Sequence, residues 1–256
     1  MPIQLDSYAA SHQGMKRRLN EDAFVCQNAS GLFLVSDGMG GENCGDVASK
    51  LAATFFENSI TPYLLDEDAT AAFEEASEHN FFLDAMKHAA NQTNQAVLQA
   101  ARDNPSCKGM GTTLTVVAVR NGSIHIAHVG DSRLYRFENG RLVQITEDHT
   151  RVHEMVKLSL ISADEARMHP QRHIITQCIG RNRSFKTDLI KQPFISTATY
   201  LLCSDGLYDM LEDRDIGQIL ATCTGLEQAG NQLINRANQN GGRDNITVVL
   251  FRQAMN

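Results

Sequence analysis

The sequence predicts an α+β fold in which antiparallel β-sheets are covered by amphipathic helices. Three observations support this prediction. Short apolar runs of strand type occur in both halves of the chain, hairpin turns join several of them, and four longer segments carry the apolar spacing of helices. Hairpins produce antiparallel sheets, and an amphipathic helix needs a sheet face to cover. We therefore expect a layered domain.

The first half of the chain contains two predicted hairpins and two predicted helices. Its four strands lie at residues 23–27, 32–35, 112–120 and 123–129. A turn at 28–31 joins the first two strands, and Asn121-Gly122, the strongest short hairpin signal, joins the others. Apolar residues recur at helical spacing in 45–59 and 78–103, which predicts a helix in each segment.

The second half begins with a hairpin and ends with helices and a strand. A turn at residues 138–140 joins predicted strands at 134–137 and 142–145. Residues 149–183 are polar, contain a break at Pro170 and are predicted to form short helices. The remaining elements are strands at 185–191, 200–203 and 246–251 and helices at 213–221 and 226–239.

Composition and charge argue against several classes of protein. The chain has 256 residues and a formal net charge of −7, which disfavours a nucleic-acid-binding protein. It has no apolar run near the about 20 residues of a membrane span, and its N-terminus lacks a secretory signal. Its six cysteines have no Cys-x-x-Cys spacing, so we expect reduced, largely buried thiols and a cytoplasmic location. A single domain over residues 1–256 is expected.

The informative residues are acids next to predicted strand ends: Glu21, Asp22, Asp37, Asp131, Asp205 and Asp244. Any one alone is best explained as a turn residue, because aspartate is common in turns. Together they favour a cation site, since Mg²⁺ and Mn²⁺ take oxygen ligands and need few carboxylates each. Gly38 and Gly206 follow two of these acids, and glycine lets a backbone carbonyl approach an ion. Bound divalent cations would also relieve the repulsion between clustered acids.

Five motifs resemble, in their order along the chain, the bacterial form of the type 2C metal-dependent protein phosphatases. They are Gly14-x-x-Arg17-x-x-Asn20-Glu21-Asp22, Ser36-Asp37-Gly38-Met39-Gly40-Gly41, Gly130-Asp131-Ser132-Arg133, Ser204-Asp205-Gly206-Leu207 and Gly242-Arg243-Asp244-Asn245-Ile246-Thr247. One such tripeptide is weak evidence, but five in order across residues 14–247 are specific. The resemblance implies a four-layer sandwich, with two packed antiparallel sheets flanked by helices and metals in a channel at one end.

The resemblance also implies a ligand set for two or three Mn²⁺ or Mg²⁺ ions. Asp37 would bridge the two core ions, and the Gly38 carbonyl would bind one of them. Asp205 and Asp244 would complete the first ion. Direct attack of a metal-bridging water would then hydrolyse the phosphoester, with no covalent phosphoenzyme.

The remaining implied roles concern the second ion, a third ion and the substrate. Asp22 would serve the second ion with Glu21 nearby, and Asp131 with Asp205 would hold a third, weaker ion. Arg17 would bind the substrate phosphate, for which a guanidinium fork is suited. The predicted catalytic residues are therefore Arg17, Asp37, Asp205 and Asp244.

Residues 149–183 correspond to the family's mobile flap, and 166–172 resemble its bacterial signature. Ser159 stands where many relatives carry glycine, a change expected to stiffen the flap. Met39 stands where animal and plant relatives often carry a histidine proposed as general acid, so metal-bound water or another residue would protonate the leaving group. Three histidines of this segment are weaker candidates, because such residues are more often structural: His149, His169 and His173.

The implied substrates are phosphoserine and phosphothreonine proteins, and the implied partner is a bacterial serine/threonine kinase or its substrates. We expect a monomer without nucleic-acid or membrane partners. No Cys-x₅-Arg loop or Gly-x-Ser-x-Gly elbow suggests another mechanism. Three alternatives stay open at this point: a pseudophosphatase that only binds phosphoproteins, a hydrolase of small phosphoesters, and a phosphatase acting on an anti-sigma-factor antagonist.

Overall fold

The computed structural model describes residues 3–40, 44–65 and 81–254. Within these residues the first of two antiparallel sheets has five strands: β1 (Leu5–His12), β7 (Arg133–Glu138), β8 (Arg141–Gln144), β10 (Thr199–Cys203) and β11 (Ile246–Gln253). Their order across the sheet is β1-β11-β10-β7-β8. Strands β10 and β11, distant in sequence, therefore lie side by side at its centre.

The second sheet has six strands in the described part of the chain: β2 (Asp22–Gln27), β3 (Leu32–Met39), β4 (Gly111–Thr112), β5 (Leu114–Arg120), β6 (Ser123–Val129) and β9 (Asp188–Pro193). Their order is β2-β3-β5-β6-β9, and the short β4 pairs with the end of β3. The predicted turns at Asn121-Gly122 and Asn139-Gly140 are confirmed. All four residues have φ in the left-handed region: 49° and 69° in the first turn, and 51° and 75° in the second. This turn geometry matches the twist of the strands it joins.

Seven helices are described: α1 (Gly45–Leu65), α2 (Phe81–Asp103), α3 (Arg151–Lys157), α4 (Ala163–Met168), α5 (Asp205–Tyr208), α6 (Asp213–Thr222) and α7 (Leu226–Gln239). Helices α1 and α2 bury Phe56 and Met86 against the second sheet. Helices α6 and α7 bury Ile216 and Leu233 against the first sheet. None of the described helices combines the length and the hydropathy that a membrane span requires.

The two sheets pack face to face through an apolar core of their own. Phe33 of β3 and Phe251 of β11 are fully buried, and their rings stack with centroids 4.1 Å apart. Tyr200 of β10 stacks on Phe251 at 4.9 Å. Three apolar layers thus separate four layers of secondary structure, in the sequence helices, sheet, sheet, helices. The prediction of an α+β four-layer sandwich is confirmed.

Two details of the predicted elements need correction, and a third lies outside the described residues. Strand β1 was not predicted, because its run of small and polar residues carries little strand signal. The strand predicted at 32–35 continues to Met39, so Asp37 lies within β3 instead of ending it; pairing of Gly38 with Thr112 of β4 extends the strand. The first residues of the helix predicted at 78–103, and Gly41, lie outside the described residues.

The expectation that all cysteines are reduced is wrong for one pair. Cys44 and Cys107 form a disulfide between residues 63 positions apart. It links the residue before α1 to the 3-10 turn Pro105–Cys107 that precedes β4. The other four cysteines are free thiols: Cys26, Cys178, Cys203 and Cys223. Cysteine content therefore gives no support for a reducing compartment.

The segment predicted as a flap holds α3 and α4 between β8 and β9, and α4 contributes no buried residue. Ser159, just after α3, has a φ of 57°. This left-handed conformation ends many helices and favours glycine, which gives a physical reason for glycine at this position in relatives. The mobility of the segment, and the single-domain organisation, stay predictions.

Candidate metal centre

The predicted acids meet at one end of the sandwich because the strand ends that carry them coincide. Asp22 and Asp37 are paired residues of β2 and β3. Asp205 follows β10 and Asp244 precedes its antiparallel neighbour β11. Asp131 follows β6, whose last residue, Val129, pairs with the first residue of β5. Thr113, just before β5, donates its N–H to the carbonyl of Asp37 at 2.9 Å. Residues separated by up to 222 positions in the sequence are thereby brought together.

Asp22 is held by one of its two carboxylate oxygens. Its Oδ2 accepts hydrogen bonds from Ser204 Oγ at 2.8 Å and from Thr247 Oγ1 at 2.6 Å. Its Oδ1 is buried and has no hydrogen-bond partner among the described residues. Burial raises the pKa of Asp22 to about 6, against the lowering effect of the two hydroxyls. The oriented, unpartnered oxygen is available to a cation.

Asp37 is positioned through its backbone. Its N–H donates to Thr113 Oγ1 at 2.8 Å, and its carbonyl accepts from Thr112 Oγ1 at 2.8 Å. Burial and then the charges of neighbouring acids, first Asp22 and Asp205, raise the pKa of Asp37 well above its usual range. At Gly38, a Cβ would lie 2.0 Å from the carbonyl oxygen of Gly45. Only glycine fits there, which explains the Asp-Gly pair physically.

Asp205 and Asp131 complete the acidic cluster. Asp205 begins α5, and its Oδ1 is a second buried carboxylate oxygen with no hydrogen-bond partner in the described ranges. Burial, followed by the charge of Asp131, raises the pKa of Asp205 well above its usual range. Burial and then Asp148 raise the pKa of Asp131 to about 7. The backbone carbonyl of Asp131 accepts from Tyr208 Oη at 3.0 Å.

In contrast to Oδ1 of Asp22 and of Asp205, the carboxylate oxygens described for Asp244 and Glu21 already have partners within the protein. Asp244 Oδ2 forms an ion pair with Arg17 Nη2 at 2.5 Å, and its Oδ1 accepts from Asn245 N at 2.8 Å. Glu21 Oε1 accepts from the N–H of Gly45 at 3.1 Å. The structure thus pairs the predicted phosphate-binding arginine with a predicted metal ligand.

Asn245 fastens the loops around this centre. Its Oδ1 accepts from Glu21 N at 2.8 Å, and its Nδ2 donates to the carbonyls of Gln13 at 3.0 Å and Leu19 at 2.8 Å. One buried amide thereby connects the start of β11 to the loop that carries Arg17 and to Glu21 before β2. Asn245 stood in a recognised motif, but no role was assigned to it.

The donor set fits divalent cations of the Mg²⁺ or Mn²⁺ type. It consists of carboxylates and one backbone carbonyl, all oxygen. Burial of mutually repelling carboxylates is unfavourable unless a positive charge joins them. The two unpartnered oxygens of Asp22 and Asp205 point to the same requirement. A further candidate group lies alongside, since His173, Asp205 and Asp209 place one ligand atom each within 4.8 Å of one another.

A cavity of about 1190 Å³ opens onto this cluster. Its walls include Arg17, Met39 and residues of the predicted flap. Of the three histidines named as weaker general-acid candidates, only His173 is among the cavity residues. The imidazole of His149 is engaged elsewhere: Nδ1 accepts from Gly130 N at 3.1 Å, and Nε2 contacts Asp188 Oδ2 at 3.1 Å. His149 therefore holds the backbone next to Asp131, and no sequence signal indicated this.

Comparison with known proteins identifies the family to which this architecture belongs. The model of the family described as Protein phosphatase 2C matches residues 10–250. The chain belongs to the protein phosphatase 2C family. A serine/threonine phosphatase, Stp, of Listeria welshimeri is 34% identical over 244 residues, which cover 94% of this chain and 93% of that protein. The predicted resemblance is therefore confirmed.

Solved structures of protein phosphatase 2C type agree with the fold. A serine/threonine phosphatase of S. agalactiae is similar with a TM-score of 0.85 and 33% identity, covering 98% of this chain and 100% of that one. The catalytic domain of PstP, solved in complex with two manganese ions, gives a TM-score of 0.81 and 30% identity, covering 98% and 99%. The enzyme class predicted from the motifs, a metal-dependent protein serine/threonine phosphatase, is confirmed.

Proposed function

We propose that this chain hydrolyses phosphoserine and phosphothreonine in proteins at the acidic cluster, with two or three Mn²⁺ or Mg²⁺ ions held by Asp22, Asp37, Asp205 and Asp244. The observation that carries the proposal is the pair of buried, unpartnered carboxylate oxygens, Asp22 Oδ1 and Asp205 Oδ1, within the described residues of one cluster. Such oxygens are costly to bury without a counter-charge, and a cation supplies it. Asp131 with Asp205 is proposed to hold a third, weaker ion.

The chain's own groups set the geometry of the reaction. When bound, the ions lower the pKa of a coordinated water and offset negative charge on the phosphoryl group. Asp37 lies between the other acids, which suits it to contact two ions. Gly38 belongs to the lining of the same cavity, and its carbonyl is the proposed backbone ligand. Ser204 and Thr247 keep the bonded oxygen of Asp22 fixed and leave the other free.

Arg17 and Asp244 suggest how metal and substrate sites are coupled. Their ion pair occupies the oxygen of Asp244 that a cation would also take. A cation competing for Asp244 would release the guanidinium, whose side chain is already 49% exposed. The released fork is suited to two phosphoryl oxygens at once. We infer that metal binding prepares Arg17 for the substrate phosphate.

Leaving-group protonation needs a donor inside the cavity. His149 is unsuited, because the contacts of both its ring nitrogens, with Gly130 and Asp188, hold it away from this space. Met39 lines the cavity but carries no proton to donate. A coordinated water, or His173 from the flap, is the proposed donor.

The substrates and partners follow from the relatives. The Listeria welshimeri relative is named a serine/threonine phosphatase. For this chain we propose phosphoproteins as substrates and a bacterial serine/threonine kinase, or its targets, as the opposing partner. A monomer acting in the cytoplasm is the accompanying proposal, although the disulfide removes the cysteine argument for that compartment.

The deciding experiment measures hydrolysis of p-nitrophenyl phosphate and of a phosphothreonine peptide after removal of metals with EDTA. We expect activity to vanish and to return with Mn²⁺ or Mg²⁺. Preference for the peptide supports a protein substrate, and preference for the small ester supports the small-phosphoester alternative. Metal binding without turnover would instead indicate a pseudophosphatase, and absence of metal binding would refute the proposal.

A further inference from the structure

Three exposed arginines contribute to the wall of the acidic cavity, and we call them the arginine rim. We define this rim as Arg167, Arg181 and Arg243, which all belong to the cavity lining. We propose that the rim selects phosphorylated protein segments whose neighbouring residues are acidic. The proposal rests on the proposed function and names the substrate class of that site.

The three guanidinium groups come from separate parts of the fold. Arg167 lies in α4, Arg181 follows the segment that pairs with β4, and Arg243 precedes β11. All three are exposed. Because separate elements bring them to one cavity, an extended peptide bound there would meet more than one of them.

These arginines lack acidic partners. None of the three has a carboxylate oxygen within 4.0 Å among the described residues. Arg181 makes one backbone contact, from Nε to the carbonyl of Gly109 at 3.3 Å. That contact leaves the other guanidinium donors of Arg181 available.

The other three arginines of the cavity lie close to acids, and two of them form ion pairs. Arg133 forms an ion pair with Asp148 at 2.7 Å, and Arg17 pairs with Asp244. Arg172 has no carboxylate oxygen within 4.0 Å among the described residues, but its charge acts on Asp209 of the same cavity and opposes the rise that burial causes in the pKa of that carboxyl. The rim arginines therefore carry the positive charge of the lining that no neighbouring carboxylate of the described residues offsets.

Metal binding would increase this imbalance. The cavity lining contains seven carboxylates and six guanidinium groups, so the two signs nearly cancel. The carboxylates of the floor are the proposed cation ligands, and each divalent ion adds two positive charges there. Two such ions would offset the four carboxylates of the proposed ligands, so the loaded cavity would keep its unbalanced positive charge at the rim.

The chemistry of the rim favours carboxylates beside the phosphorylated residue. A guanidinium fork pairs with a carboxylate or phosphate in a bidentate manner. Each exposed ion pair contributes little to the affinity. A cluster of positive charges, however, also increases the rate at which an acidic segment associates with the site. The protein as a whole carries a net charge of −7, so attraction of an acidic segment must arise at this local patch.

The test compares three phosphothreonine peptides that differ only in their flanking residues, which are glutamate, alanine or lysine. We expect kcat/KM to fall in that order, with about a tenfold difference between glutamate and alanine at low salt, arising mainly in KM. Added NaCl should reduce the difference, because salt screens exposed charges. Hydrolysis of p-nitrophenyl phosphate, which has no flanking residues, is measured in parallel.

The matched variants are two triple substitutions. Arg167→Ala, Arg181→Ala and Arg243→Ala together should bring the glutamate-to-alanine ratio of kcat/KM close to one. The control combines Arg102→Ala, Arg141→Ala and Arg236→Ala, which are exposed, lie outside the cavity and should leave the ratio unchanged. Because each ratio is taken within one variant, a general loss of activity does not affect it.

Equal kcat/KM for the glutamate and alanine peptides, with p-nitrophenyl phosphate still hydrolysed, would overturn the rim proposal and leave the phosphatase assignment standing. Preference for the lysine peptide would overturn it as well. Absence of turnover on every substrate would refute the proposed function instead. A glutamate preference that persists in the triple rim variant would also overturn the proposal, and the three single alanine substitutions serve as the test if the triple variant fails to fold.

Discussion

Asp22 and Asp37 lie directly opposite each other on the neighbouring antiparallel strands β2 and β3. Paired residues of such strands project to the same face of the sheet, with Cβ atoms about 5 Å apart. Two carboxylates at this spacing repel each other, and, after burial, the charge of Asp22 is the next cause of the raised pKa of Asp37. The pair consequently destabilises the fold when no cation is bound, and it favours the binding of a cation when one is present.

Replacement of Asp37 by asparagine should separate these two effects. We expect Asp37→Asn to reduce turnover to below about 1%, because a ligand charge is lost, and to raise the melting temperature of the metal-free protein, because a like charge is removed. Melting curves in EDTA and an activity assay with Mn²⁺ check both. Asp103→Asn, at the exposed end of α2, serves as control and should change neither. Metal-dependent activity in a folded Asp37→Asn protein would contradict the proposed role.

The stability of the metal-free protein should fall as pH rises. Burial raises the pKa of Asp22 to about 6 and that of Asp131 to about 7. A raised pKa means that the folded state binds protons more tightly than the unfolded chain does. The contribution of these two protonated carboxyls to the free energy of unfolding is therefore at its maximum below about pH 4 and is lost as the pH rises toward 7. Denaturant titrations in EDTA from pH 5 to pH 8 measure the slope.

Mn²⁺ supplies the control for the pH dependence. Bound cations favour the ionised carboxylates, so the decline between pH 5 and pH 8 should be reduced or reversed in saturating Mn²⁺. A metal-free protein that gains stability over this interval would show that the carboxylates are not forced together.

The hydroxyls that hold Asp22 offer a test of metal affinity. Thr247→Val removes the Oγ1 that donates to Asp22 Oδ2 at 2.6 Å and keeps the side-chain shape. We expect the metal dissociation constant to rise about tenfold, because groups that orient a ligand commonly affect affinity by this factor or more. Calorimetric titration with Mn²⁺ measures it. Thr247→Ser keeps the hydroxyl and should stay near the wild-type value; equal weakening in both variants would assign the effect to packing.

The disulfide should contribute measurably to stability. Cys44→Ser with Cys107→Ser should lower the free energy of unfolding by about 2–4 kcal/mol, because the bond closes a long loop in the unfolded chain. Thiol titration of the denatured, unreduced protein should find the four free cysteines. Cys223→Ser, which breaks no disulfide, is the control. Six titratable thiols in the purified protein would contradict the bond.

Local signals predicted most of the fold. The Asn-Gly turns specify hairpins through the left-handed backbone that both residues adopt, and α7 was predicted with its observed limits because its apolar spacing is regular. Strand β1 was missed because its strand conformation comes from pairing with β11, more than 200 positions away. The Cys44–Cys107 bond was missed for the same reason, since no spacing rule covers a separation of 63 residues.

The candidate site also combines features that local sequence motifs predict with contacts that they do not predict. The acids were found because each belongs to a short motif, and the structure brings them together. The Arg17–Asp244 ion pair joins residues 227 positions apart, and the His149–Asp188 contact joins residues 39 apart. Neither can be derived from local pattern, because both depend on which strand ends coincide.

The Cys44–Cys107 bond also changes the connectivity of the chain. Any peptide bond cut between Gly45 and Ser106 would leave the two fragments joined through sulfur. Such a nicked molecule would migrate as one band on a non-reducing gel and as two on a reducing gel. Helix α1 would stay attached to the glycine-rich end of β3, and α2 to the turn before β4. A protease acting on that stretch would therefore break the backbone without separating the two halves of the metal-binding end.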